Sequence, residues 1–269
     1  MNNAPIGVFD SGIGGLSVLK ALQAELPHQD FIYLADSAHA PYGERSDAYV
    51  AARSRAVVAH LVSLGAQAVV VACNTATAAA IEDLRAAYPA LPFIGVEPAL
   101  KTAAACSQTG RVLVMATRST LASTRFGALL ALQPASTTFV LQPCDGLALA
   151  IERSADSQDA TEVIALCARY TCGNGIFGCG ENEIDTLVLG CTHYPFASAH
   201  LRALLGPDVQ FIDNGHAVAR QTQRVIATSA RIATAAGKVC LSTTGNSAIL
   251  AMAARQWLGL TTGVESLGI

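Results

Sequence analysis

Short, near-continuous apolar runs alternate with alanine-rich segments of helical period along almost the whole chain. Ile6–Phe9 reads as a buried strand and Leu16–Leu26 as a helix that stops before Pro27. Phe31–Ala35 is the next strand, followed by a Pro-Gly loop and a long helix, Ala48–Leu64, closed by Gly65. Ala68–Ala72, Ala76–Ala87 and Phe93–Val96 then read as strand, helix and strand. Further strands are expected at Arg111–Met115, Thr138–Leu141, Thr186–Leu189, Val209–Ile212 and Val239–Ser242. Runs that are apolar at every position suit strands covered on both faces, and the helices between them make the sheet parallel. Ligands of such sheets bind beyond the carboxyl ends of the strands, so chemistry is to be sought there.

Four strand ends carry small polar clusters that open a helix: FDSGIGG (Phe9–Gly15), ACNTATA (Ala72–Ala78), MATRST (Met115–Thr120) and GCTHYP (Gly190–Pro195). They pair. VVVACNTATAAAI and LVLGCTHYPFASAHL each run strand, small residue, Cys, a polar pair containing Thr, then helix. Asp10 and Cys73 are 63 positions apart, Thr117 and Cys191 74, and the difference of 11 is the length of the Gly-rich stretch Cys172–Asn182. This pattern describes an internal duplication, two similar α/β halves with one cysteine each, and reads the Gly-rich stretch as an inserted loop, inert or serving as a lid or subunit contact.

Composition narrows the classes. Of 269 residues, 52% are hydrophobic and 14% charged, with a net charge of −3. That is a globular chain, and with only Lys20, Lys101 and Lys238 as lysines it offers no basic stripe for nucleic acid or an anionic membrane. The first residues do not read as a signal peptide, and no apolar stretch approaches the ~20 residues of a membrane span. A cytoplasmic protein with its eight cysteines reduced is expected.

Metal and cofactor motifs are absent from the pattern. Cys167, Cys172 and Cys179 lack a CxxC pair or finger spacing. Gly12, Gly14 and Gly15 resemble a dinucleotide loop, but the third glycine position falls on Ser17, and there is no P-loop. None of the lysines sits at a strand end, as a pyridoxal phosphate site would need.

Cys73 and Cys191 each follow an apolar strand by one residue, at the expected mouth of a helix, where amide dipoles favour a thiolate. A single cysteine there is usually buried packing; two in matching contexts point to function. Ser11, Asn74, Thr75, Thr192 and His193 could hold a small carboxylate, although such residues also serve as ordinary helix caps. Asp10 either caps a helix or orients a reacting group, and His193 lies within reach of Cys191. Glu152, in the apolar stretch GLALAIERS, is either exposed or paired with a group such as His193.

At these residues the chain resembles a known family. FDSGIGGLSVLKAL, YLADSAHAPYGERS, ACNTATAAAI, GVEPALKTA and LGCTHYPF, between Gly7 and Asp213, resemble the cofactor-independent aspartate/glutamate racemases, with Asp10-Ser11 and His193 favouring the glutamate branch. MATRST, where members commonly have Gly-Thr, and DNGHAVA (Asp213–Ala219) depart from the pattern. The resemblance implies two pseudo-symmetric α/β domains with mostly parallel sheets, 1–98 plus 211–269 and 99–210, and an active site in the interdomain cleft. It implies racemisation of L- and D-glutamate without metal or cofactor, by two thiols: Cys73 takes the proton from the D-enantiomer and Cys191 from the L-enantiomer. Asp10 would support Cys73; His193, with Glu152 behind it, would support Cys191. Asp10, Ser11, Pro41, Tyr42, Gly43, Asn74, Thr75, Thr117, Thr120, Thr192 and His193 would contact the substrate. A homodimer supplying D-glutamate for peptidoglycan follows from the same resemblance. The alternatives are a racemase of aspartate or a related acid, and a non-catalytic binding or regulatory protein on this scaffold.

Overall fold

A computed structural model describes residues 4–226 and 236–269. In chain order the elements begin with β1 (Ile6–Asp10), α1 (Leu16–Glu25), β2 (Phe31–Ala35), α2 (Asp47–Ser63), β3 (Ala68–Val71), α3 (Asn74–Ala87) and β4 (Phe93–Gly95). Next come α4 (Leu100–Cys106), β5 (Arg111–Ala116), α5 (Arg118–Ala122), α6 (Thr124–Ala131), β6 (Thr138–Pro143), α7 (Leu147–Ser157) and α8 (Thr161–Thr171). The chain closes with β7 (Thr186–Leu189), α9 (Ser198–Leu205), β8 (Gln210–Ile212), α10 (Gly215–Ile226), β9 (Val239–Thr243), α11 (Ser247–Leu258) and β10 (Val264–Ser266). No helix among the described residues is long and apolar enough to cross a membrane.

These elements form two compact units, Met1–Val96 with Gly215–Ile269, and Glu97–Asn214. The second unit keeps all of β8, which an expected boundary at 210/211 cuts after Gln210. Gln210 and Phe211 pair with Thr186 and Leu187 of β7, and that ladder holds the chain in the second unit through Ile212.

Each unit is built on a parallel sheet, with order β10-β9-β2-β1-β3-β4 in the first and β6-β5-β7-β8 in the second. The fold class is α/β with two parallel sheets. Four strands of the first sheet repeat the order of the second: second strand, first, third, fourth. β3 therefore corresponds to β7, and the two cysteines follow equivalent strands. Residues of β1, β2, β3 and β7 are buried at every position, the reason these strands read as unbroken apolar runs.

Helix boundaries follow local chemistry. Ser46 caps α2 by accepting the Tyr49 amide, and Asn246 caps α11 by accepting that of Ala248. Between α8 and β7 lie residues 172–185, against only 64–67 between α2 and β3. The extra length is the Gly-rich stretch. It is an ordered loop: Ile184 donates its amide to Ile176 O, Gly178 donates to Ile184 O, and Asn174 Nδ2 donates to Tyr170 O. Gly173, Gly175 and Gly178 have positive φ, so the glycines are needed for its turns.

Two expectations change. β10 is a short edge strand with no alternating signal, and it was not foreseen. GCTHYP does not open an α-helix. Pro195 has no amide hydrogen and crowds Tyr194, so the chain makes a turn at Cys191–Tyr194 and a 3-10 segment, Tyr194–Ala197, before α9 begins.

Candidate active site

The first cluster stands at the carboxyl ends of β1, β2 and β3. Asp10, fully buried, ends β1 and accepts the Gly12 amide at 2.8 Å, which folds the DSG turn back on the strand. Gly15 packs against it: a Cβ there would lie 2.6 Å from Asp10 Cβ and 2.9 Å from the Tyr33 hydroxyl. The Tyr33 hydroxyl donates to Gly12 O at 2.6 Å, locking the loop from the neighbouring strand. Gly15 here serves close packing on a carboxylate.

Cys73 is 5% exposed and caps α3, with its sulfur accepting the Ala76 amide at 3.4 Å. Its thiol also donates to Ser11 Oγ, 3.8 Å away. A helix N-terminus and a backbone donor on sulfur both favour negative charge there. Asn74 and Thr75 are buried in the first turn of α3. Asn74 Nδ2 donates to Val96 O, whereas Asn74 Oδ1 is buried with no hydrogen-bond partner among the described residues. A buried amide oxygen without a donor costs about 1–3 kcal/mol, which a ligand N–H or ammonium in this cluster would offset.

Pro41 precedes a short 3-10 turn, Tyr42–Glu44, which includes Gly43. The Tyr42 ring packs in the same apolar cluster as Cys73. Its hydroxyl donates to Asp36 Oδ2, so the phenol is directed at Asp36; burial, then Asp36, raises its pKa far above the usual tyrosine range.

The second cluster lies at the ends of β5, β6 and β7. Thr117 caps α5, accepting the Thr120 amide at 3.2 Å, and its hydroxyl donates to Thr120 Oγ1 at 2.9 Å. Thr120 and Thr192 are buried. Cys191, 7% exposed, lacks the helix mouth that Cys73 has, and a histidine stands there instead. Its sulfur lies 3.6 Å from His193 Nδ1, and His193 Nε2 lies 2.7 Å from Glu152 Oε1. Burial pulls the His193 pKa down, but the hydrogen bonds to Cys191 and Glu152 outweigh it and hold it well above 6.5. Imidazolium beside sulfur and backed by a carboxylate is an arrangement that can give, take or stabilise a thiol proton.

Three residues of these clusters carry no role in the sequence reading, two of them at strand ends. Asp36 follows β2 and Cys144 follows β6, the same strand-end signal that marked the two cysteines; Tyr33 lies inside β2 and had no such signal. Burial pushes the Cys144 thiol up, and Cys191 adds to this, so Cys144 stays protonated. Among the described residues no group of three or more His, Cys, Asp and Glu is arranged to hold a metal.

The chain is similar to known proteins over most of its length. The family model described as Asp/Glu/Hydantoin racemase matches residues 6–222. A glutamate racemase of Stutzerimonas stutzeri is 48% identical over 224 residues, covering 83% of this chain and 82% of the relative. Among solved structures, glutamate racemase isoform RacE1 of Bacillus anthracis superposes with a TM-score of 0.85 at 28% identity, over 100% of this chain and 99% of the other. The Escherichia coli glutamate racemase, solved with L-glutamate and an activator, gives 0.85 at 28% identity over 99% of both chains. With strand-end cysteines at equivalent places in two parallel sheets and this extent of similarity, the chain belongs to the Asp/Glu/Hydantoin racemase family.

Proposed function

We propose that the protein is a glutamate racemase that interconverts L- and D-glutamate with two thiols and no cofactor. Cys191 with its His193–Glu152 relay, matched by Cys73 on the equivalent strand, is the observation that supports it most directly. Racemisation removes the α-proton from one face of the carbon and returns a proton to the other. Cys73 as thiolate takes it from the D-enantiomer while the Cys191 thiol protonates the carbanion, and the roles exchange for the L-enantiomer. His193 supports Cys191, with Glu152 holding the imidazole in place; Ser11 and the α3 amides support Cys73, with Asp10 shaping the loop that carries Ser11.

The α-proton is a much weaker acid than a thiol, and each unit of mismatch costs about 1.36 kcal/mol, so the site must stabilise the carbanion by fixed hydrogen bonds away from water. Ser11, the Pro41–Gly43 segment, Asn74, Thr75, Thr117, Thr120 and Thr192 are assigned to hold the substrate. The unpartnered Asn74 Oδ1 suits the α-ammonium. The same reading takes the protein as a cytoplasmic homodimer whose D-glutamate feeds peptidoglycan synthesis, which rests on the family resemblance.

The test is incubation of reduced protein with L- or D-glutamate in D2O, following loss of the α-proton and optical rotation. Both enantiomers should exchange and converge on zero rotation. Folded protein that exchanges neither overturns the enzyme reading, and exchange of aspartate alone overturns the substrate.

A further inference from the structure

Asp36 lies just past β2 and has no exposed surface. Its carboxylate accepts four hydrogen bonds: Arg53 Nη2 at 2.8 Å and Thr244 Oγ1 at 2.9 Å on Oδ1, Arg53 Nε at 3.0 Å and the Tyr42 hydroxyl at 2.5 Å on Oδ2. Its amide donates to Asp10 O at 2.9 Å. One residue therefore grips the Asp10 strand end, the Tyr42 turn, α2 and the segment after β9. A buried ion pair of this kind is a poor stabiliser, since apolar side chains of the same volume hold a core as well or better. It does fix geometry: each of its partners is charge-assisted and directional. It stands at the carboxyl edge of the sheet, and Tyr42 shares an apolar cluster with Cys73.

We infer that Asp36 is a positioning residue, which through the Tyr42 hydroxyl holds the Pro41–Gly43 segment in its substrate-binding conformation and, through Thr244, anchors it to the C-terminal part of the chain. The inference rests on the racemase reading for what that segment binds. Asp36 touches no substrate. Losing it loosens the segment that does, so substrate binding weakens while proton transfer at the thiols is little changed.

The experiment compares the wild-type protein with Asp36→Asn and Tyr42→Phe, measuring KM and kcat in both directions and hydrogen exchange of the ligand-free proteins. Asparagine turns a donor toward Arg53 or Tyr42, whereas Tyr42→Phe keeps the ring in its cluster and removes one bond, so it reports even if the first variant unfolds. The expected result is a KM raised about 10- to 100-fold in Asp36→Asn with kcat within about threefold, and a smaller rise of KM in Tyr42→Phe. Amide exchange should rise within 40–45 and stay unchanged in β1 and β3. An unchanged KM, a loss in kcat alone, or exchange that rises evenly over the unit overturns the inference. If the wild-type protein does not racemise glutamate, the racemase reading fails, and hydrogen exchange alone decides whether Asp36 holds the segment.

Discussion

Replacing Glu152 by Gln keeps the size of the side chain and leaves an oxygen near His193 Nε2, but removes the charge 2.7 Å from the imidazole. A hydrogen bond to a charged group contributes about 1.5–3 kcal/mol and a neutral one about 0.5–1.5, so the imidazolium loses about 1–2 kcal/mol. His193 then titrates lower, because its burial, which works against the charged form, is opposed by Cys191 and a neutral hydrogen bond without the Glu152 charge. If the charged form acts in the transition state, kcat/KM falls about 5- to 30-fold. The fall must be equal in both directions, since enantiomers have equal free energy in water; kcat and KM separately need not match. Stability supplies a second readout. A histidine whose folded pKa is raised contributes stability that is complete below its unfolded value of about 6.5 and is lost as pH rises through the folded value. Urea unfolding of both proteins should therefore show the wild type ahead by about 1–2 kcal/mol near pH 6, with the gap closing as pH rises through the raised folded value. A gap that is constant with pH, together with wild-type kcat in both directions, refutes the assignment of Glu152 to a His193 relay.

Three further outcomes are expected. Cys73→Ser and Cys191→Ser should each slow racemisation by about 10²- to 10⁴-fold, the usual worth of a general acid or base. Cys191→Ser should still exchange the α-proton of D-glutamate in D2O without inversion, and Cys73→Ser that of L-glutamate; wild-type racemisation by both would end the two-thiol mechanism. Gly15→Ala forces a Cβ against Asp10 and Tyr33 and should lower stability by about 1–3 kcal/mol, whereas Gly127→Ala, in α6 with nothing within 4 Å, should raise it by about 0.5–1; thermal melts of the pair would show it, and matching shifts would refute the packing argument. Asp185, buried, accepts the Ser107 and Thr186 hydroxyls and the Gln108 and Thr109 amides, and these hydrogen bonds outweigh burial and lower its pKa. Its stabilisation is present above its unfolded pKa of about 3.9 and disappears as pH falls through the lower folded value. Wild type and Asp185→Asn should therefore converge in acid unfolding, and a difference that persists at the lowest pH would contradict it.

Much of this protein is legible along the chain because β1, β2, β3 and β7 are covered on both faces. Burial at every position makes an apolar run stand out, and the parallel crossover that must follow makes the next segment a helix. The strand ends then mark where polar residues gather, and Asp10, Ser11, Cys73, Thr117, Cys191 and His193 all lie there. Local chemistry also decides the caps at Ser46 and Asn246, which need only the next few residues.

What the tertiary structure alone decided is partnership over long separations. Glu152 meets His193 across 41 positions, and Asp36 draws together Tyr42, Arg53 and Thr244, the last 208 positions away. The sequence named His193 as one possible partner for Glu152, with exposure as the alternative, and named none for Asp36. The choice is made by strand order, which sets β9 beside β2 and brings α7 to the turn after β7. Even the two cysteines, alike in sequence, differ in the fold: a continuous α3 gives Cys73 amide donors, while Pro195 denies Cys191 such a helix and leaves the neighbouring charge to a histidine that another helix must hold.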